Sequence, residues 1–496
     1  MVEPCGCTGD PLGGVARLAA AVKEVEQAFA GRSLFVDGGD LFFENIDNAS
    51  AASRCQSEAR LDLLLSTYAR LGLVGTVTGP MDEWMDEPQR RALLDKHRIS
   101  LLPDDGMVVE RGPVRVALVP LRLDSEGGTE GATLRLQHKV DRQLAQSPDV
   151  VVVIAQAPLS IVQRIAERLV GVDVVIAGRA SQTPLAPQRV GKTVVVSAGF
   201  QAQHVGVLEF DLEGRTPGAP LPLDDQEAVA AGRQRVLDSR ILGLEGQLND
   251  VEEGPRREFF IERLAKAKQE RAALDDVATH AQHARPPAGP SLRVRAVPLP
   301  RGVPEEAPAA SALGAYQAAI PDLVLRCEQN LVCKPAAPDQ ASYVGVSACQ
   351  GCHAAAVAFW EHAVVTLPGK DKGGQPISRR VGHALAWQSL VHENKERDRS
   401  CVGCHSVGFL EPGGPCTTTH IVERGLQGVQ CEACHGPGSR HIQTRAKKDI
   451  GHPDENRCRA CHHPPHIPTQ ESFVLHERLQ HILGDGHGAQ KKKELQ

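Results

Sequence analysis

The chain of 496 residues carries 55 Lys and Arg against 61 Asp and Glu, a net charge of -6, with 41% hydrophobic and 23% charged residues. That length allows roughly two to four domains with sizeable cores, and the charge balance excludes both a disordered acidic tail and a basic nucleic-acid binder. Aromatics make up only 3%, yet there are 14 Cys and 20 His, so something other than large aromatic side chains fills part of the interior.

The first 215 residues alternate β-rich runs with helical stretches, the pattern of an α/β layered domain. Strands are expected at SLFVDGG (33–39), PVRVALVP (113–120), DVVVVIA (149–155), DVVIAG (173–178), KTVVVSAG (192–199) and HVGVLEFD (204–211). Segments 13–30 and 158–170 repeat apolar residues at spacings of three and four, so amphipathic helices should cover the sheet. Residues 221–285 turn to Ala, Leu, Arg, Glu and Gln with a break at Glu253-Gly254-Pro255, which predicts a helical hairpin. Residues 286–340 hold many Pro and read as an extended linker with a short helix around 309–327. Within it Cys327 and Cys333 are close enough in sequence for a disulfide, or for two unconnected thiols.

The last stretch, 341–496, differs chemically from the rest. It holds 15 of the 20 His and 9 of the 14 Cys, and no Met follows residue 107. It is expected to be mostly helical or irregular. Four Cys-x-x-Cys-His motifs occur: Cys349/Cys352/His353, Cys401/Cys404/His405, Cys431/Cys434/His435 and Cys458/Cys461/His462. Two thiols separated by two residues reach the two vinyl groups of one porphyrin, and the adjacent imidazole then comes under its iron. Zinc knuckles also use Cys-x-x-Cys but do not demand a His after every second Cys. About four c-type haems are therefore expected, with His353, His405, His435 and His462 as proximal ligands. Met is absent, so the second axial ligand is another His, or one iron stays five-coordinate. Cys416 belongs to no motif and reads as a small buried residue.

The stretches GVSACQGCH (345–353), Phe359-Trp360, GHALAWQSL (382–390), SCVGCHSVGF (400–409), GVQCEACHGPGSRH (428–441) and ILGDGHG (482–488) resemble the multihaem cytochrome c family that includes the tetrahaem electron acceptor of hydroxylamine oxidoreductase. The resemblance implies a tetrahaem cytochrome c domain over 341–496 and distal-ligand roles for His383 and His441. It extends less directly to His466 and His487, while His362, His392, His476 and His481 read as surface residues. Electron transfer between redox partner proteins is the implied function. The alternative is a haem redox enzyme acting on a small nitrogen or sulfur species at a five-coordinate iron.

EPCGCTGDPLGGVARLA (3–19), FVDGGDLF (35–42), DVVVVIAQA (149–157), VDVVIAGRAS (172–181) and VVVSAGFQAQHVGVLEFDL (194–212) resemble the calcineurin-like metallophosphoesterases of the 5'-nucleotidase type. That family builds a two-metal site from Asp-x-His, Gly-Asp, Gly-Asn-His-Asp/Glu, a strand-end His and Gly-His-x-His. Only the Gly-Asp is kept, as Asp40. GPMDE (79–83), with Asp82, replaces the Asn-His motif, Gln156 the strand-end His, and Gly178-Arg179-Ala180 the final His pair. The Asp-x-His strand would precede Glu3, so a degenerate, N-terminally truncated domain is expected, with an active phosphoesterase as the alternative. Cys5 and Cys7 read either as disulfide partners or as residues without a role.

Covalent haem attachment implies a periplasmic or otherwise exported protein. The opening MVEPCGCTGD has neither the basic region nor the apolar run of an export signal, so the true start is expected upstream. No run of about eighteen apolar residues occurs, so no transmembrane segment is expected in the given chain.

Overall fold

The computed structural model describes residues 2–3, 12–42, 51–123, 128–179, 185–199, 201–216, 218–225, 233–234, 237–238, 240–241, 244, 255–283, 289–362, 364–370, 376–380, 382–462 and 482. The chain is multidomain and divides into two compact units, Met1–Asp47 with Ser57–Tyr316, and Asn48–Gln56 with Gln317–Gln496.

The first unit is an α/β layered structure. A parallel pair, β1 (Phe35–Val36) and β2 (Leu73–Gly75), precedes the larger sheet. That sheet is built from β3 (Met107–Arg111), β4 (Val114–Arg122), β5 (Val150–Pro158), β6 (Val174–Arg179), β7 (Leu185–Val190) and β8 (Thr193–Ser197). Their order is β3-β4-β5-β6-β8-β7, with the central strands parallel and the two edge strands antiparallel. Central parallel strands are covered on both faces, which is why β5 reads as an unbroken apolar run. Val151, Val153 and Ala155 face Leu136, Val140, Val162 and Ile165 of the helices Gly128–Leu144 and Leu159–Ala166. On the opposite face, Val174, Val194 and Val196 pack with Leu208, Phe210, Leu221, Leu292 and Val294. The chain therefore stacks helices, a sheet and a second sheet.

That second sheet corrects the expected linker. It contains β9 (His204–Asp211), β10 (Leu223–Asp224) and β11 (Ser291–Pro298), the last antiparallel to β9 over eight paired positions and parallel to β10. The segment Leu-Arg-Val-Arg alternates apolar and charged side chains, the period of a strand with one buried face. Leu292 and Val294 enter the core, while Arg293 pairs with Asp224 at 2.8 Å and Arg295 with Glu209 at 2.7 Å. Flanking prolines hide this period in the sequence. The first unit therefore runs well past residue 215.

Between β10 and β11, Pro255–His283 is one long helix. Pro255 occupies its first position, where no backbone N–H is required. The described residues from 233 to 244 are also helical, and Asp238 pairs with Arg271 at 2.7 Å. Leu244 and Ala267 are buried.

The second unit consists of short helices joined by loops, with one backbone hairpin of β12 (Val364–Lys370) and β13 (Pro376–Arg380). Among the described residues its apolar core is small: Tyr343, Trp387, Leu390, Val402, Val407, Ile421 and Leu426. Two disulfides supplement it, and they correct the expected cysteine chemistry. Cys327 bonds Cys55 and Cys333 bonds Cys416, with Cα separations of 5.8 and 5.2 Å, inside the range a disulfide bridges without backbone movement. Cys327 lies in the last turn of the helix Ala307–Glu328, whereas Cys333 lies beyond its end, and so the two find different partners. Cys416 is buried because it is bonded. No helix among the described residues is long and apolar enough to cross a membrane.

Leu292, 1% exposed, separates a strand from a linker. Leu292→Ala should cost about 2–5 kcal/mol in urea unfolding followed by circular dichroism. A loss under about 0.5 kcal/mol, the usual effect of a surface change, would return the segment to a linker.

Candidate haem centres and a strand-end carboxylate cluster

In the second unit each attachment motif sits on a short helix or beside one. The first opens the helix Ser347–His362, whose backbone departs from helical angles at His353, φ -123° and ψ 38°. The helix Arg399–Val402, capped by Asp398 through the N–H of Ser400, carries Cys401. The third motif is the helix Cys431–His435, and the fourth begins within the helix Glu455–Arg459, capped by Asp454 through the N–H of Arg457.

Imidazole orientation is set by backbone carbonyls. Nδ1 of His405 lies 2.6 Å from the Ala386 carbonyl, Nδ1 of His435 3.0 Å from that of Gly451, and Nδ1 of His441 3.0 Å from that of Ala446. A carbonyl only accepts, so these Nδ1 atoms carry the proton and leave Nε2 as a lone-pair donor for a metal.

Two imidazole pairs form. His353 and His441 have ring centres 6.2 Å apart and His383 and His462 have theirs 6.0 Å apart. Metal–imidazole bonds of about 2 Å on both sides of one ion put ring centres about 6 Å apart, so both pairs have the spacing of axial ligands. Burial pushes His383 down, toward the neutral form that ligates metal. His466, His487, His476 and His481 lie outside the described residues. His362 is exposed, its Nδ1 3.0 Å from the carbonyl of Ala358 in its own helix, and His392 is also exposed.

The motif cysteines do not share one environment. Interaction between the Cys349 and Cys431 thiols pushes the first up and the second down. Burial, reinforced by Cys458, Cys431 and Cys461, pushes Cys434 up to about 11. Cys352 is exposed, because residues 351–355 of its helix all lie at the surface and the apolar face begins only at Val357, whereas Cys404, like Cys401, is half-buried. None of the eight motif cysteines is joined in a disulfide, so each pair keeps the reduced sulfurs that thioether formation requires.

Glu432, a spacer residue of the third motif, escaped sequence reasoning because nothing marks it locally. It is 1% exposed, and its carboxylate accepts the N–H groups of Val344, Gly345 and Gly438 at 2.6–3.1 Å. It thus fastens the approach to Cys349 and the loop leading to His441 onto the third motif. A charged acceptor with several backbone donors is well satisfied in the interior. A second buried polar centre joins Arg399 to Glu328, whose carboxylate also takes the N–H and hydroxyl of Thr418. Arg399 lies over the ring of Phe409 and donates to the carbonyl of Cys416.

In the first unit the kept and substituted residues of the resembled metal site do converge, near the carboxyl ends of β5 and β6. Asp40, with φ 53°, accepts the Met81 N–H at 2.8 Å and stands 3.8 Å from the guanidinium of Arg179. Gly79 lets this carboxylate approach, since a Cβ there would fall 2.0 Å from Oδ1. Both oxygens of Asp82 accept backbone N–H groups, from Phe42 at 2.7 Å and Gly79 at 2.8 Å, and burial pushes its carboxyl up to about 7. Gln156 donates to the Gly38 carbonyl. Burial also raises Asp40. This donor set does not suit two divalent ions, which need several free carboxylates and imidazoles. Three of the four oxygens already accept backbone donors, and Arg179 supplies a fixed positive charge beside the fourth. Ala180 lies outside the described residues.

Residues 348–436 match the family described as Cytochrome c554 and c-prime. Cytochrome c-554 of Nitrosomonas europaea is 27% identical over 143 residues, a match covering 25% of this chain and 58% of that protein. The chain thus spans little more than half of its curated relative. Among solved structures, the sulfate thiohydrolase SoxB of Thermus thermophilus, in complex with glycerol, aligns at 18% identity and a TM-score of 0.40, covering 72% of this chain and 56% of that one. A 5'-nucleotidase precursor, also from Thermus thermophilus, aligns at 17% identity and a TM-score of 0.38, over 66% of this chain and 56% of that one.

Glu432→Ala would leave buried backbone N–H groups without an acceptor, at about 2–4 kcal/mol. A fall in Tm of several degrees, with Glu432→Gln intermediate, is the expected result of calorimetry on the two variants. Equal Tm values for Glu432→Ala and the unaltered protein would show that the carboxylate holds nothing in place.

Proposed function

We propose that the second unit carries about four covalently attached c-type haems and passes electrons between redox partner proteins in the periplasm or an equivalent exported space. The observation that carries this reading is the two imidazole pairs, His353 with His441 and His383 with His462, each joining one motif histidine to one histidine outside the motifs. Bound, a c-type haem supplies a one-electron iron couple, at comparatively low potential where both axial ligands are His. The chain's own residues do the rest. Cys349/Cys352, Cys401/Cys404, Cys431/Cys434 and Cys458/Cys461 provide the thioether sulfurs, and His353, His405, His435 and His462 the proximal nitrogens. The carbonyls of Ala386, Gly451 and Ala446 hold the Nδ1 protons of His405, His435 and His441, and so fix which nitrogen faces the iron. His466 and His487 remain the proposed further distal ligands.

The alternative is a haem redox enzyme acting on a small nitrogen or sulfur species at a five-coordinate iron, and high-spin EPR signals with carbon monoxide binding in the reduced protein would favour it.

For the first unit we propose a metal-free, catalytically silent phosphoesterase-like domain. The support is the occupied carboxylates of Asp40 and Asp82 and the presence of Gln156 and Arg179 at ligand positions.

Pyridine haemochrome analysis with intact mass should count about four haems per chain in protein matured in a periplasm. A haem-free, zinc-containing product would overturn the reading. His441→Ala should convert one low-spin haem to high spin and raise its potential with all haems still attached, because attachment depends on the cysteines and spin state on the sixth ligand. An unchanged low-spin EPR spectrum would remove His441 from the ligand set.

Phosphatase and nucleotidase assays with manganese or zinc should show no turnover. Activity abolished by Asp40→Asn would show that the site still works.

A further inference from the structure

The Cys333–Cys416 disulfide has surroundings that an inert crosslink does not need. A disulfide sulfur is a weak hydrogen-bond acceptor, yet two donors converge on Cys333 Sγ: the N–H of Cys416 at 3.0 Å and Nδ1 of His420 at 3.1 Å. Both contacts are worth far more to a thiolate. The two sulfurs and a ring nitrogen of His420 lie within 4.8 Å of one another. A tetrahedral site with metal–sulfur bonds of about 2.3 Å and metal–nitrogen bonds of about 2.0 Å separates its ligands by about 3.5–3.8 Å, so a small parting of the sulfurs suffices to seat an ion.

The surroundings supply the remaining requirements of such a site. Nε2 of His420 lies 4.0 Å from Glu423, the carboxylate partner that commonly orients a metal-bound imidazole. The His420 side chain is 42% exposed, which leaves solvent access for a fourth ligand. Opening the disulfide would not scatter the cysteines. Gly413 N–H donates to the Lys334 carbonyl at 2.9 Å, and Arg399 to the Cys416 carbonyl at 2.9 Å, so both segments are held by bonds that do not involve sulfur.

We propose that Cys333, Cys416 and His420 form a redox-gated site for a thiophilic divalent cation such as zinc. An external dithiol reduces the disulfide by exchange, becoming a disulfide itself while its two hydrogens end on the Cys333 and Cys416 sulfurs. The cation then binds both sulfurs and Nδ1 of His420, releasing the two thiol protons while the imidazole proton moves from Nδ1 to Nε2 beside Glu423. Oxidation by a disulfide reverses the sequence and expels the ion. This proposal does not depend on haem count or ligation.

The test uses the full haem-loaded chain, in which the motif cysteines are thioethers and take no zinc. After anaerobic reduction by a dithiol and desalting, zinc is titrated against a chelator of known affinity and bound metal is counted by mass spectrometry. The reduced protein should bind about one zinc more than the reduced Cys333→Ser/Cys416→Ser variant, and the oxidised protein should lack that ion. His420→Ala should weaken the affinity at least about tenfold, a comparison that stands even if the double variant fails to fold. Equal zinc content in the reduced protein and the double variant, or unchanged affinity in His420→Ala, overturns the proposal. So does a failure of alkylation to detect thiols at 333 and 416 after reduction of the folded protein.

Discussion

Apolar burial alone cannot hold the second unit together, and its other features follow from that shortage. The described core is a handful of side chains around Trp387, Ile421 and Leu426, in a chain poor in aromatics. Small cores need staples. Here they are two disulfides, the buried Arg399–Glu328 centre and the Glu432 carboxylate. A buried ion pair is a poor source of stability but a good source of geometric definition when every hydrogen bond is satisfied. Arg399 and Glu328 meet that condition through Ser53, Cys416 and Thr418. The proposed haems would add the large apolar surfaces that side chains do not provide.

The first unit is organised the opposite way. Its sheet is held by valine-rich strands buried on both faces, and none of that packing depends on the chemistry at the strand ends. Side chains at the strand ends can differ without loss of the fold, because fold and site are separable. Asp40, Asp82, Gln156 and Arg179 converge there. The carboxylates are satisfied by Met81, Gly79 and Phe42, and their positive partner is a side chain of the protein itself.

Much of this was legible locally. Strand segments such as 149–155 and 173–178 announce themselves by apolar runs that suit a sheet covered on both faces. The Cys-x-x-Cys-His motifs place thiols and imidazole on one short stretch, so their chemistry is readable without a fold. Their surroundings are not, since identical spacing leaves Cys352 exposed and Cys404 half-buried. β11 was hidden as well, because prolines on either side obscure an alternation that only its pairing with β9 makes meaningful. Glu432 was equally silent, since a Glu between two motif cysteines looks like any solvated residue until three distant N–H groups are brought to it.

By itself, then, the sequence determined the four Cys-x-x-Cys-His motifs on which the haem proposal rests, and that no Met after residue 107 is available as an axial ligand. Tertiary structure alone decided the pairings. His353 meets His441, His383 meets His462, Cys327 meets Cys55 and Cys333 meets Cys416. The physical reason is range. Attachment chemistry is fixed by bonds within five consecutive residues, whereas a second ligand or a disulfide partner is chosen by which distant segments the buried carboxylates, the capped helices and the small core bring within a few ångström.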